Sequence, residues 1–293
     1  MKRVPFDIYL NVAAGGILAG LVYGLMALGL SVIFGVVRVV NFAHGEMMAI
    51  AMYLSLLAFG LLGIDPLLMI LPCAVILFAL GYILQGTLIN RFITRPEHSQ
   101  FLLMVAIAII ITNVQLIMFG PDARSVQTPY SFDSYQFGRL IVDADKLYGA
   151  IAALIAAAAL FGFFRFTRIG TAIRACADNY TGAQVVGLNV KRLYALTFGL
   201  GCACVGAAGA ILMISTDVTP QFGPVATLQA FIIVITGGMG SMVGALLGGV
   251  LIGLTAAIAG LLFMPSIKAM FVYGILVLVL LFRPQGIIGK KTS

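Results

Sequence analysis

The sequence predicts an all-α fold: a polytopic integral membrane helix bundle with about eight to ten transmembrane helices, some of them broken or re-entrant. Three observations lead there. Of the 293 residues, 62% are hydrophobic and only 9% charged, whereas a soluble domain is nearer half apolar and a quarter charged. Apolar runs of about 20 residues, the length that spans hydrocarbon as a helix, recur from end to end. A helix satisfies its own backbone hydrogen bonds in lipid and an open strand does not, so such runs read as helices. The flanks of the first run lack a secretory cleavage site, and no N-terminal segment is expected to be removed. The chain reads as one transmembrane domain over residues 1–293.

The runs fall at about residues 10–36, 42–63, 66–90, 99–120, 146–165, 192–214, 225–263 and 266–283. The first carries Gly15, Gly16, Ala19, Gly20 and Gly24, and the sixth Gly199, Gly201, Gly206 and Gly209, small-residue seams along which helix backbones approach closely. Between the first and second runs stands NFAHGEMM, residues 41–48. A charged side chain at the bilayer centre costs roughly 3 kcal/mol on insertion scales, so Asn41, His44 and Glu46 mark either a membrane surface or a working site. On one continuous helix Asn41 would share a face with Gly45, and Phe42 with Glu46. A helix broken at Gly45 accommodates the polar groups more easily; the plainer alternative is a surface helix capped by Asn41, with Glu46 against the macrodipole. Neither His44 nor Glu46 has a partner that suggests catalysis, since the other histidine, His98, sits in a polar turn after Pro96.

Lys and Arg accumulate on cytoplasmic loops. Residues 165–192 carry Arg165, Arg168, Arg174, Lys191 and Arg192 against Asp178, and the C-terminus carries Arg283, Lys290 and Lys291; both are placed in the cytoplasm. The polar, turn-rich stretch 120–146 is the main extracytoplasmic loop, which puts the Arg91–Arg95 turn inside and the Asp65–Pro66 turn outside. The same count requires the block 225–263 to cross twice or to dip in and return, with a break at TGGMGSMVG, residues 236–244. It also puts residues 1–9 outside although Lys2 and Arg3 favour the cytoplasm, a conflict that one extra reversal near NFAHGE would remove. Aligning NFAHGEMMAIA with TGGMGSMVGAL superposes Gly45 on Gly240 and Met47 on Met242, a faint sign of internal repetition of the kind that pairs broken helices at a midplane site.

The stretch 165–199 is the second concentrated signal. Residues 171–178 pattern as a short helix that Asn179 stops, and Thr181–Val186 make a second before Gly187 and Asn189 break again. Two short helices joined by a turn make a docking shape, where the plain alternative is a solvated loop held by positive-inside charge. The net charge of +7 is spread through inter-run gaps, so a nucleic-acid partner is excluded. Cys73, Cys176, Cys202 and Cys204 form no CxxC pair or metal spacing and read as small core residues. No nucleotide-binding or hydrolase motif is present, so any energy input must come from another protein.

Residues 16–53, GILAGLVYGLMALGLSVIFGVVRVVNFAHGEMMAIAMY, resemble the opening of the LivH-type permeases of branched-chain amino-acid ABC importers. Residues 170–209, GTAIRACADNYTGAQVVGLNVKRLYALTFGLGCACVGAAG, resemble the same family's loop that contacts the ATPase. The resemblance runs over nearly the whole chain, including GGMGSMVGALLGG near the end. It implies a permease subunit without catalytic chemistry or a cofactor of its own, multi-pass in a bacterial inner membrane. Its implied partners are a second homologous permease, two ATPase subunits that bind ATP, and a periplasmic solute-binding protein. It places Gly170, Arg174, Ala175, Asp178, Asn179 and Gly187 in a coupling loop at about 166–191. Asn41, His44, Gly45 and Glu46 then fall beside the translocation path, with Gly237, Gly238 and Gly240 of the second break offering dipoles to the same cavity. An ion-coupled secondary transporter would need membrane-embedded acids, for which Glu46 alone is a candidate; within the family, urea or amides are alternative substrates.

Overall fold

The computed structural model describes residues 6–93, 95–263 and 267–289. Its helices are α1 (Phe6–Val37), α2 (His44–Leu62), α3 (Ile70–Thr87), α4 (Glu97–Phe119), α5 (Ala144–Phe166), α6 (Arg168–Asp178), α7 (Tyr180–Val185), α8 (Val190–Leu212), α9 (Phe222–Gly237), α10 (Met242–Leu262) and α11 (Lys268–Phe282). Among the described residues seven helices are long and apolar enough to cross a membrane, and α9 and α11 are shorter apolar helices. The chain is a polytopic helical membrane protein. Aliphatic side chains such as Leu71, Ile110, Ile117, Ile155 and Leu281 stand exposed on the outer surfaces of α3, α4, α5 and α11, as lipid-facing helices require.

Two faces of the bundle can be told apart. One carries an antiparallel hairpin, β1 (Ser134–Phe137) and β2 (Leu140–Asp143), inside the stretch read from sequence as a polar, turn-rich loop. Its short β-rich segments flank a two-residue turn with Gly138 at φ +65°, the positive φ that twist-matched hairpin turns need. The other face carries α6 and α7. Asn11 of α1 accepts a hydrogen bond from the Ile141 amide (3.0 Å), so residues 6–11 share the hairpin's face. That agrees with the count of spans. The extra reversal considered near NFAHGE is absent, because α2 runs on to the hairpin face, where Asp65 accepts from Tyr130 Oη at 2.7 Å. Lys2 and Arg3, which motivated it, lie outside the described residues. Burial, first, and the Asp65 carboxylate, second, push the Tyr130 phenol up from its ordinary pKa.

Small residues set the packing. Along the α1–α10 seam a Cβ on Gly16 would stand 3.0 Å from the Gly253 carbonyl oxygen, and one on Gly20 2.7 Å from that of Gly249. Backbones this close gain dispersion that lipid cannot match at larger separation. α8 runs through the middle of the bundle, with Phe198, Cys202, Val205 and Ala208 fully buried.

The block 225–263 resolves into two antiparallel helices, α9 and α10. Gly238 and Gly240 take φ of +109° and +79° between them, a left-handed region that side chains resist, and Ser241 caps α10 by accepting from the Gly244 amide (3.0 Å). The last carbonyls of α9 are not left bare. Ile287 N donates to Thr236 O at 2.9 Å and Ile288 N to Gly237 O at 3.0 Å, so the tail beyond α11 supplies donors the helix end lacks. In the alignment that pairs Met47 with Met242, α2 starts at His44 and α10 at Met242, so the two helix starts fall three residues out of register (47 − 44).

Candidate functional site

The chain between α1 and α2 is a helix break turned back into the bundle. α1 has 32 residues, ~48 Å at 1.5 Å per residue against a hydrocarbon thickness of about 30 Å. It stops at Val37, and Arg38 follows at φ +57°. His44 Nε2 donates to the Met26 carbonyl oxygen (2.9 Å), which fixes its tautomer and sets the start of α2 about 16 Å back along α1 from Val37. Residues 38–43 make that return without helix. Asn41, His44 and Glu46 are 0%, 0% and 2% exposed; the segment is inside the bundle and not a cap at a membrane surface.

Most polar groups there find a partner within the bundle, His44 Nδ1 being a buried atom without one among the described residues. Asn41 does not cap α2: its Oδ1 accepts from the Ala43 amide (3.0 Å), holding the turn that leads into the helix. Gly45 lies so close to α9 that a Cβ would overlap the Gly223 carbonyl oxygen. The approach lets the Gly45 amide, otherwise an orphan donor of the first turn, reach Thr227 Oγ1 at 2.8 Å. Thr227 in turn donates its hydroxyl to Glu46 Oε2 at 3.0 Å, and Gln115 of α4 donates to the Glu46 carbonyl (3.1 Å). Glu46 is the one buried carboxylate among the described residues.

A cavity of ≈ 440 Å³ opens beside it, between α2, α4 and α9. Glu46, Thr112, Asn113, Gln221 and Thr227 supply its polar atoms, and Phe42, Val105, Ile109, Leu228 and Phe231 its apolar walls. Such a volume, mostly apolar with a few convergent polar groups, suits a small organic solute. Of the residues singled out from sequence, Glu46 lines the cavity, Gly45 stands behind it, and Asn41 and His44 build the break without facing the space. Gly237, Gly238 and Gly240 lie elsewhere: Gly237 is ten residues beyond Thr227, ~15 Å along α9, at the end where the tail docks. Thr112, Asn113 and Gln115 join the site from the run 99–120, and their sequence signal is the one NFAHGE carries, polar residues inside an apolar run. Thr227 and Gly223 carried no such signal.

The second site is built from three caps. Thr167 Oγ1 accepts from Gly170 N (2.9 Å) to start α6, Asn179 Oδ1 from Gly182 N (2.8 Å) to start α7, and Asn189 Oδ1 from Arg192 N (3.1 Å) to start α8. Each cap satisfies a first-turn amide. Gly170 is buried where a Cβ would meet the Phe163 carbonyl oxygen at 2.5 Å, so α6 folds tightly against the end of α5. Ile173 and Cys176 face inward, and burial pushes the Cys176 thiol up from its ordinary pKa. Arg174, Ala175, Asp178 and Asn179 are exposed, as are Val185 and Val186 of the second turn, and Gly187 closes the unit at φ +85°.

A helical membrane bundle with a polar-sided cavity at a helix break, and with short exposed helices at one face, has the parts a permease needs. Residues 12–280 match the family described as branched-chain amino acid transport system, permease component, and the chain belongs to that family. It is 30% identical over 297 residues to the high-affinity branched-chain amino acid transport system permease protein BraD of Pseudomonas aeruginosa, covering 96% of each chain. It is likewise 30% identical over 305 residues to LivH of Escherichia coli, a permease protein of the same description, covering 97% of each. A probable LivH of Methanocaldococcus jannaschii is 26% identical over 277 residues, covering 90% of this chain and 88% of its own. No solved structure matches. The chain is the permease subunit of an ABC importer, a class that works with ATPase and solute-binding partners.

Proposed function

We propose that this subunit passes branched-chain amino acids through the cavity at Glu46, in a bacterial inner membrane, with its C-terminus in the cytoplasm. It acts beside a second homologous permease, two ATPase subunits and a periplasmic solute-binding protein, and binds neither ATP nor any cofactor itself. One observation carries the path: the one buried carboxylate among the described residues lies on the wall of a cavity otherwise built from amides, hydroxyls and aliphatic and aromatic side chains. Glu46 then meets the ammonium group, Asn113 and Gln221 offer donors to the carboxylate, and Val105, Ile109, Leu228 and Phe231 accept the branched side chain. The contacts are few, so the solute is held weakly and released readily, and selectivity rests with the solute-binding protein. ATP-driven closure of the ATPase pair moves α6 and α7, and the bundle shifts between its two openings.

The test is leucine uptake into vesicles holding the complete importer. Glu46→Gln keeps the shape and the Thr227 contact but removes the charge, and uptake should fall by roughly tenfold or more, a charged hydrogen bond being worth about 1.5–3 kcal/mol. Co-purification of the partner subunits should be unchanged. Normal uptake by the variant would remove Glu46 from the path.

A further inference from the structure

A second cavity, ≈ 560 Å³, lies on the face opposite the hairpin, where α3 and the turn after it meet the start of α8. Its walls include Tyr82, Gly86, Arg91, Asn189, Lys191 and Arg192. Three cations therefore share one concavity whose lining holds no acid. The ion pairs among the described residues, Arg139 with Asp7 and Lys146 with Asp143, both stand at the hairpin face, so no protein carboxylate neutralises this cluster. The walls are tied together: Asn90 Nδ2 donates to the Lys191 carbonyl at 3.3 Å, and the buried Gln85 donates to Asn90 Oδ1 at 3.0 Å. The positive end of the α8 dipole points the same way.

We propose that this cavity binds a phosphate-bearing anion, supplied by the headgroup of an anionic phospholipid. Arginine's planar fork matches phosphate oxygens two at a time, and the lysine adds a point charge. The lipid source follows from the surroundings. The cavity sits where two apolar spans end, Ile83 and Leu88 near the same end of α3 are exposed and can take acyl chains, and the wall residue Tyr82 is an aromatic with a polar tip, the kind that gathers near headgroups. Basic clefts between helices at the cytoplasmic boundary bind anionic lipid in this way. At Gly86 an added Cβ would meet nothing within 4 Å, so a larger side chain there would project into free space.

The test uses the complete importer, purified, stripped of lipid in detergent, and offered phosphatidylglycerol, phosphatidylcholine or inorganic phosphate before native mass spectrometry. Phosphatidylglycerol adducts should predominate on the natural protein. They should fall roughly tenfold or more in Arg91→Gln/Arg192→Gln, since each surface cation contributes several-fold to anionic-lipid affinity. Gly86→Leu keeps every charge and favours helix, yet should exclude the headgroup and lose the adduct as well. Retention of inorganic phosphate without lipid preference would keep the anion site and assign it a soluble source. Equal phosphatidylglycerol retention by the natural protein and both variants would overturn the proposal. Loss of the ATPase subunits with unchanged lipid adducts would also do so, since the cations would then serve an acidic protein contact.

Discussion

Thr227 holds one hydroxyl between two demands: it accepts from the Gly45 amide and donates to Glu46. Both partners are buried, so removing the hydroxyl leaves an orphan donor and a carboxylate short of a bond, at about 1–3 kcal/mol. Thr227→Val should therefore lower the thermal midpoint of the purified importer and cut leucine uptake several-fold. Thr227→Ser, which keeps the oxygen, should restore most of both; failure of the serine to rescue would show that the methyl group and not the hydroxyl is what the site needs. This pairing also marks where the sequence stops being legible. Glu46 and Asn41 stand out because charge and amide are conspicuous among aliphatic neighbours. Threonine is ordinary in a transmembrane helix, and its partner is 181 residues away in sequence, so nothing local announces the pair. Gly223 is invisible for the same reason, being needed only because α2 comes to rest against it.

At the scale of elements, legibility follows the chemistry that ends each helix. The unit α6–α7 was readable at Asn179, between its two helices, and at Gly187 with positive φ, but its first helix begins at Arg168, three residues before the 171 expected, because Thr167 caps it, and Asn189 opens α8 as a cap. A break near NFAHGE was readable, but not its place or its return: Gly45, where it was expected, lies inside α2, and the break is 38–43, which no local residue directs back along α1; the His44 to Met26 hydrogen bond does so from a distance. The unit α6–α7, the proposed contact with the ATPase, divides its residues by face, Ile173 and Cys176 inward and Arg174 outward. Reversing charge on the outward face should leave the fold intact, as exposed substitutions cost little. Arg174→Glu is thus expected to reduce recovery of the ATPase subunits with this permease in mild detergent, while its own thermal midpoint moves by no more than about 0.5 kcal/mol equivalent. Undiminished recovery would take Arg174 out of the contact.

The whole molecule is organised by two faces about one membrane thickness apart, and every functional reading depends on which face meets which compartment. α4 links them: it begins at Glu97 beside the cationic turn and ends at Phe119, whose carbonyl accepts from Arg124 on the hairpin face, ~34 Å away. On the positive-inside rule the cationic face is the one proposed to meet the cytoplasm, and α6–α7 and the proposed anion cavity share that face. The four native cysteines are buried and free, so a thiol introduced at an exposed position should dominate labelling. With a membrane-impermeant maleimide on intact cells, Gln136→Cys in the hairpin should react at once, and His98→Cys at the start of α4 only after the membrane is opened. The reverse order would invert the molecule, moving α6 and α7 away from any ATP-hydrolysing partner and the anion cavity to the outer leaflet. Labelling of both from one side would mean that α4 does not cross, and the cavity it forms with α2 and α9 would then have no membrane to span.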